Sequence, residues 1–166
     1  MSAVSVEIVN LTRLSVDPAA VTRLVAGVLG AEGMSSGEIG VRFVGARRMR
    51  ALNREYLGHD EVTDVLSFPP EDAGDQFDGG PGAADAPGEP ELDVPRLLGD
   101  VVVCPTRAAA QARAAGTPLS FEIAMLLVHG TLHVLGYDHE TDAGEMALRQ
   151  AGHLDDASWE RLLGEV

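Results

Sequence analysis

The sequence predicts one α+β domain, built from a mixed sheet of about four strands together with about five helices. Its 166 residues are typical of a single domain, so we assign residues 1–166 to one unit. A composition of 45% hydrophobic and 23% charged residues is that of a globular protein and excludes a disordered chain. Short β-branched runs, separated by segments of helical periodicity, indicate a mixture of strands and helices.

Each element has its own signal in the chain. Alternating or β-branched runs predict four strands, at residues 5–11, 39–44, 62–68 and 97–104. Helical periodicity predicts helices at residues 18–29, 47–56, 105–115 and 121–135, with one or two more between 141 and 163. Asp17 and Pro18 are suited to be the N-cap and the first residue of a helix. Gly58, Gly116 and Gly136 each follow a predicted helix, where glycine commonly ends it.

Charge is distributed unevenly along the chain. The net charge of −14 argues against a nucleic-acid partner if it is taken as a whole. Residues 69–95 contain eight acidic residues, five glycines, six of the nine prolines and no arginine. Their few large apolar side chains cannot offset the entropy of ordering, and we therefore predict a disordered acidic insertion at residues 70–95. Outside residues 69–95, 18 acidic residues face 12 arginines, which leaves a net charge of −6.

A basic stretch precedes the third predicted strand. Residues 41–54 contain five arginines and no acidic residue, and the chain has no lysine. Arginine can grip a phosphate through two parallel hydrogen bonds, so this stretch is a candidate surface for RNA. A solvated helix face is the alternative interpretation, and both stay open at this point.

The chain has the features of a cytoplasmic protein. Its longest apolar run, residues 123–128, is far shorter than the about 20 residues of a membrane-spanning helix. The N-terminus lacks the basic start and the apolar stretch of a secretion signal. The single cysteine, Cys104, cannot form an internal disulfide, which agrees with a reducing compartment. We therefore expect no membrane association and a cytoplasmic location.

Three of the five histidines, His129, His133 and His139, lie within eleven residues. On a helix, His129 and His133 are about 40° apart around the axis and one turn apart along it. Gly136 permits the turn that ends the helix, so that the chain can bring His139 to the same point. Three imidazoles with a fourth position free are the ligands of a catalytic zinc, and we predict one Zn²⁺ per chain. Nickel and cobalt suit the same ligands.

The spacing of these histidines equals that of the metzincin peptidases, His-Glu-x-x-His-x-x-Gly-x-x-His. Gly130 stands where those enzymes have the glutamate that acts as general base, which disfavours a peptidase. A zinc with three neutral ligands still lowers the pKa of its water toward about 7, so hydrolysis remains feasible without that glutamate. Asp138 and Glu122 are candidates to hydrogen-bond a ligand, with a local cap or a solvated carboxylate as the alternative for each.

The stretch His-Gly-Thr-Leu-His-Val-Leu-Gly-Tyr-Asp-His at residues 129–139 resembles the signature of the YbeY endoribonucleases, bacterial zinc proteins of ribosomal RNA maturation. Blocks at residues 52–69 and 98–104 are similar to that family in the same order. The resemblance implies a zincin-like metal helix with His129, His133 and His139 as zinc ligands. It also implies single-strand-specific RNA cleavage, maturation of the 3′ end of small-subunit (16S) ribosomal RNA, and ribosome quality control. The implied partners are ribosomal RNA and the small ribosomal subunit.

One position departs from the family pattern. Many members have arginine directly after the tyrosine of the first block, suspected of holding phosphate, whereas this chain has Leu57. We predict that Arg54 on the same helix takes over the phosphate contact, helped by Arg48 or Arg50.

Three functions therefore compete at this stage. The leading hypothesis is a zinc-dependent endoribonuclease. A metal-stabilised ribosome-assembly factor with little catalysis is favoured by Leu57 and by the net charge of −14. A metallopeptidase is suggested only by the histidine spacing. Outside the motif, we interpret His59 and His153 as surface residues, Cys104 as a packing residue and Trp159 as a core anchor.

Overall fold

Four strands form one mixed sheet in the computed structural model, which describes residues 3–70, 95–156 and 158–164. They are β1 (Val4–Asn10), β2 (Gly37–Phe43), β3 (Val65–Phe68) and β4 (Leu97–Val103). The spatial order is β1-β2-β4-β3, with β1, β2 and β4 parallel and β3 antiparallel to β4. Strand β3 is thus an edge of the sheet. The insertion predicted at residues 70–95 falls mostly on residues 71–94, which lie outside the described residues.

Five helices and a short 3-10 helix accompany the sheet in the described part of the chain. They are α1 (Pro18–Ala31), α2 (Ala46–Leu57), α3 (Pro105–Ala115), α4 (Leu119–Val134), α5 (Glu145–Asp156) and the 3-10 helix Trp159–Arg161. The predicted α+β class is confirmed. The Asp17 side chain caps α1 by accepting a hydrogen bond from the Ala19 backbone N–H at 3.0 Å. Gly58 ends α2 with a left-handed φ of 74°.

Strand β3 is shorter than the sequence predicts, because it begins at Val65 rather than at residue 62. Asp64 lies at this boundary, and its carboxylate accepts the Val65 backbone N–H at 2.7 Å. Its carbonyl oxygen accepts the Cys104 N–H at 2.8 Å. Such a local side-chain hydrogen bond competes with the regular strand ladder.

The two faces of the sheet are covered by different helices. Helices α1, α3 and α4 contribute to the main core on one face, where Val101 and Val103 of β4 point. Between them in sequence, Val102 points to the opposite face, as the alternation of a strand requires. There it packs with Met49 of α2 and Leu66 of β3. The edge strand β3 therefore lies between α2 on one side and α4 on the other.

Helix α4 is apolar around most of its circumference because other elements surround it. It contacts β3, β4, α1, α3 and α5. Its buried residues include Ile123, Ala124, Leu127, Val128 and Leu132. A helix that is hydrophobic on all sides is buried within a protein or a membrane, and here the protein covers it. No helix in the described ranges is long and apolar enough to cross a membrane.

Gly130 lets α4 approach the sheet closely. A Cβ at this position would lie 2.6 Å from Val101 Cγ1, and 3.2 Å from both Ser67 Oγ and Val65 Cγ2. The Ser67 hydroxyl also donates a hydrogen bond to the Gly130 carbonyl oxygen at 2.9 Å. Residue 130 thus faces β3 and β4, and no larger side chain fits there unless the neighbouring atoms shift.

A buried carboxylate joins three separate parts of the fold. The side chain of Glu32, just after α1, is only 2% exposed. It accepts hydrogen bonds from the Tyr137 hydroxyl at 2.8 Å and from His153 Nε2 of α5 at 2.8 Å, with Arg149 Nη1 at 3.5 Å. Burial raises the pKa of Glu32, but the hydrogen bonds from His153 and Tyr137 and the charge of Arg149 outweigh burial and lower the pKa below its ordinary value.

The interpretation of His153 as a surface residue is wrong. Its side chain is only 14% exposed, because it packs over Glu32. His59 is exposed, as predicted. Cys104 is fully buried, and the Trp159 ring packs edge-on against Phe121 with ring centroids 5.2 Å apart, in agreement with their predicted packing roles.

Replacing Gly130 by alanine is expected to lower the free energy of unfolding by about 1–3 kcal/mol, because the added methyl group overpacks against Val101. Gly27 of α1 is the matched control, since a Cβ there meets nothing within 4 Å. Gly27→Ala should raise the free energy of unfolding by about 0.5–1 kcal/mol through helix propensity alone. Urea unfolding measures both. A stabilising effect at both positions would contradict the close packing of α4 on the sheet.

Replacing Glu32 by glutamine is expected to lower the free energy of unfolding at neutral pH by about 1–3 kcal/mol, because buried hydrogen bonds lose their charged acceptor. The folded state lowers the pKa of Glu32, so its contribution is present above the unfolded pKa of 4.5 and is lost as the pH falls through the lower folded pKa. Between about pH 5 and 3, the free energy of unfolding should therefore fall more steeply for wild type than for Glu32→Gln. Glu55→Gln, on the exposed surface of α2, should keep the wild-type slope. Parallel curves of unfolding free energy against pH for wild type and Glu32→Gln would disprove this role of Glu32.

Candidate metal centre

The last turns of α4 bring two histidines together. His129 and His133 are four residues apart and project from the same side of the helix, as predicted. Their Nε2 atoms are 3.1 Å apart, and their ring centroids are 4.6 Å apart. The four-residue spacing places both rings on the same side of α4, so the pair needs no further loop to form.

The third histidine reaches the pair through the turn that ends α4. Gly136 has a left-handed φ of 99°. The Gly136 N–H donates to the His133 carbonyl oxygen at 3.0 Å, and the Tyr137 N–H donates to the Leu132 carbonyl oxygen at 3.1 Å. These two bonds form a Schellman motif, which reverses the chain direction. The ring centroid of His139 then lies 5.3 Å from that of His129 and 5.1 Å from that of His133.

The three histidines can hold one metal ion. One ligand atom from each residue lies within 4.8 Å of the other two, so the structure brings together the three residues that the motif predicts. His129 and His133 are partly buried and His139 is exposed. The group is thus open to solvent on the side of His139.

Hydrogen bonds at Nδ1 orient the two helical rings. His133 Nδ1–H donates to the Tyr137 carbonyl oxygen at 2.9 Å, and His129 Nδ1–H donates to Gln150 Oε1 of α5 at 2.9 Å. A carbonyl oxygen only accepts, so each Nδ1 carries a proton, and in the neutral form of each ring Nε2 then has a free lone pair. Gln150 is a site residue that the sequence analysis missed, because it lies 21 residues from its partner.

Two lone pairs that face each other fit a shared cation. When both rings are neutral with the proton on Nδ1, the two Nε2 atoms at 3.1 Å repel each other, and a positive ion between them removes that repulsion. The separation is close to the about 3.3 Å expected for two imidazole nitrogens on one tetrahedral zinc. Burial, followed by the charge of His129, lowers the pKa of His133, which favours the neutral, metal-binding form. The donor set therefore suits a divalent metal that prefers nitrogen ligands.

The two candidate carboxylates have different positions. Asp138 accepts the Glu140 backbone N–H at 2.9 Å, which makes its side chain a local cap of the turn. Glu122 lies in the first turn of α4, about two helical turns before His129, and is only 6% exposed. Burial, and then the negative charge of Asp64, raise the pKa of Glu122. The structure thus places Glu122 with Asp64, at the opposite end of α4 from the histidines.

The predicted phosphate-binding arginines lie on the exposed face of α2. Arg50 is already engaged, because its Nε and Nη2 donate to the two carboxylate oxygens of Asp60 at 2.9 and 3.0 Å. Arg54 lines a cavity of about 320 Å³ together with Arg47, Arg50, Ala51 and Asp60. That Arg50 contacts phosphate stays a prediction, and one edge of its guanidinium binds Asp60. Arg48 is exposed but does not line this cavity. Arg47, which is not among the predicted phosphate-binding residues, does line it.

The end of α2 presents apolar side chains to solvent. Leu57 is 57% exposed, and Tyr56 is 59% exposed with its ring edge-on to Phe68 at the end of β3. Helices α2 and α4 pack on opposite faces of the sheet at β3, so the arginines of α2 and the histidines of α4 lie on opposite sides of this edge strand. An extended ligand that contacts both would have to cross β3.

Comparison with known proteins places the chain in one family. It matches the family model described as Endoribonuclease YbeY over residues 8–157. It is 40% identical over 158 residues to the Endoribonuclease YbeY of Salinispora tropica, with 93% of this chain and 96% of that protein covered. It is also 40% identical over 114 residues to the Endoribonuclease YbeY of a Geobacillus species, where the match covers 67% of this chain and 65% of that protein.

A solved structure shares the fold. The solution structure of TM1509 from Thermotoga maritima superposes with a TM-score of 0.58 at 23% identity, and covers 91% of this chain and 87% of that chain. The family model and the Salinispora relative both extend over the histidine motif and nearly the whole chain. The chain therefore belongs to the YbeY family of endoribonucleases.

Proposed function

We propose that this protein is a zinc-dependent endoribonuclease that cleaves single-stranded RNA. The observation that carries the proposal is the convergence of His129, His133 and His139, with the two helical rings turned so that their free lone pairs meet. The Salinispora relative, which matches this chain over 96% of its own length, is named an endoribonuclease. The biological substrate we propose is the 3′ end of small-subunit (16S) ribosomal RNA, on the small ribosomal subunit in the cytoplasm, with a role in ribosome quality control.

The chain's own residues would prepare the site before RNA arrives. When bound, zinc held by three neutral imidazoles supplies Lewis acidity toward water and toward a phosphodiester oxygen. Tyr137 and Gln150 hold the Nδ1 protons of the two helical ligands, which keeps both Nε2 atoms available. The exposed position of His139 leaves the site accessible to a polymer.

Arginines of α2 would position the RNA backbone. Arg54 and Arg47 line the cavity beside the Arg50–Asp60 ion pair, and Arg48 is exposed on the same helix. An RNA strand crossing β3 would meet these charges on one side and the histidines on the other. Phosphate contacts of this kind set the register of a strand and carry no base specificity.

The metallopeptidase hypothesis is not supported. The general base of that mechanism would stand at position 130, which faces Val101 of the sheet rather than the histidines. A glutamate there has neither the space nor the direction to reach water at the metal.

A ribosome-assembly factor with little catalysis remains the second candidate. It is favoured by the exposed Leu57 at the position where many family members have arginine, and by the engagement of Arg50 with Asp60. A deletion strain distinguishes the two functions. If a folded His133→Ala variant restores normal ribosomal RNA ends, the assembly role is the principal one and the proposed catalysis is wrong.

His133→Ala is expected to lower the rate of cleavage of a single-stranded RNA by at least about 100-fold and to reduce bound zinc well below one ion per chain, because a ligand is removed. His59→Ala is the matched control, since His59 is exposed on the loop after α2 and should leave both quantities unchanged. Cleavage is followed on gels, and zinc by elemental analysis of the purified proteins. Identical products at identical rates from wild type and His133→Ala would mean that a contaminating nuclease causes the cleavage.

Arg54→Gln is expected to weaken binding of single-stranded RNA and to reduce the slope of log affinity against log salt concentration by about 0.7, the effect of one lost phosphate contact. Arg13→Gln makes the same charge change on the exposed loop before α1 and should keep the wild-type slope. Fluorescence anisotropy at several salt concentrations measures both variants. Equal slopes for Arg54→Gln and Arg13→Gln would exclude a specific phosphate contact at Arg54.

A further inference from the structure

Helix α5 attaches to the metal centre through one face. Met146, Gln150 and His153 are spaced four and three residues apart, so they lie in a line along the helix. Met146 is buried against Val128 and Leu132 of α4, in the helical turns that carry the ligands. Gln150 and His153 then form the two hydrogen bonds described above, one to a ligand ring and one to Glu32.

We propose that Gln150 is a positioning residue of the metal centre, which fixes the ring orientation and tautomer of His129 without adding charge. The inference rests on the proposed metal site. Its basis is the 2.9 Å hydrogen bond from His129 Nδ1–H to the Gln150 amide oxygen. This bond connects α5 directly to a ligand, whereas His153 of α5 binds Glu32 and Met146 packs against α4.

The chemical type of the hydrogen-bond partner at Nδ1 matters as much as its position. Both helical ligands donate their Nδ1 protons to neutral acceptors, the Tyr137 carbonyl and the Gln150 amide. A carboxylate as the Nδ1 partner would make the imidazole a stronger electron donor to the metal. It would also place negative charge near the ion. Neutral partners at Nδ1 add no negative charge near the ion, which favours its Lewis acidity.

The carboxylate of Glu32 is connected to the ligand His133 through Tyr137. Glu32 binds the hydroxyl of Tyr137, while His133 binds the carbonyl of the same residue. The charge of Glu32 is offset by Arg149, and His153 caps the same carboxylate oxygen. Glu32 therefore holds α5 and the Tyr137 turn in place, and Gln150 makes the contact with the ligand.

The test compares two substitutions of similar size. Gln150→Met removes the acceptor and keeps the volume and helix propensity, whereas Gln150→Glu keeps an acceptor and adds charge. We expect Gln150→Met to lower Co²⁺ affinity by about 10- to 100-fold and to alter the visible absorption spectrum of the bound cobalt. We expect Gln150→Glu to bind Co²⁺ at least as tightly as wild type, but to cleave RNA more slowly at neutral pH when fully loaded. Leu148→Gln is the control, because this α5 side chain is 77% exposed and should leave affinity and spectrum unchanged.

Two results would overturn the proposal. The first is wild-type Co²⁺ affinity and spectrum in Gln150→Met. The second is an equal loss of affinity in Gln150→Met and Gln150→Glu, which would mean that side-chain packing matters and the acceptor does not. The melting temperatures of the metal-free proteins show whether a variant is merely unfolded. Because affinity is measured without RNA, a wild type that binds cobalt but cleaves no RNA would contradict the proposed function and leave this test intact.

Discussion

The burial of α4 is the constraint on which the rest of the molecule depends. The sheet covers one side of this helix, and α1, α3 and α5 cover the others. A helix enclosed in this way cannot slide or rotate without exposing apolar side chains, so the direction of each residue on it is determined. His129 and His133 gain their alignment from this packing. Gly130 contributes by bringing the same turn against Val101, which places the ligands close to the edge strand β3.

The parts of the site that could be predicted are those encoded by local spacing. A separation of four residues puts His129 and His133 on one side of any helix, and Gly136 signals the turn that returns His139 to them. The α+β class and most element boundaries also follow from periodicity and from capping residues such as Asp17. In these cases the local geometry of a few neighbouring residues determines the structure, and tertiary packing does not change it.

The supporting hydrogen bonds could not be predicted, because their partners are distant in sequence. His153 is a lone histidine on an amphipathic helix, and nothing near it in the chain indicates Glu32, which lies 121 residues away. Gln150 likewise lies 21 residues from its partner His129, and nothing near it in the chain indicates that contact. The Arg50–Asp60 pair crosses from α2 to the following loop, so periodicity within the helix gave no sign of it. Which polar residues of a helix meet a partner depends on how the elements dock.

The separation of the ligands into a helical pair and a turn residue has a consequence for metal exchange. The pair belongs to a helix that apolar packing holds in the core, so ion binding would not have to order the domain, unlike in small zinc-dependent folds. The entropy lost on loading is confined largely to the exposed turn that carries His139. A chelator or an incoming ion can therefore displace this outermost ligand first while the other two remain fixed. Exchange of a bound ion would thus proceed stepwise from the solvent side, with the two helical ligands held in place by the packing of α4.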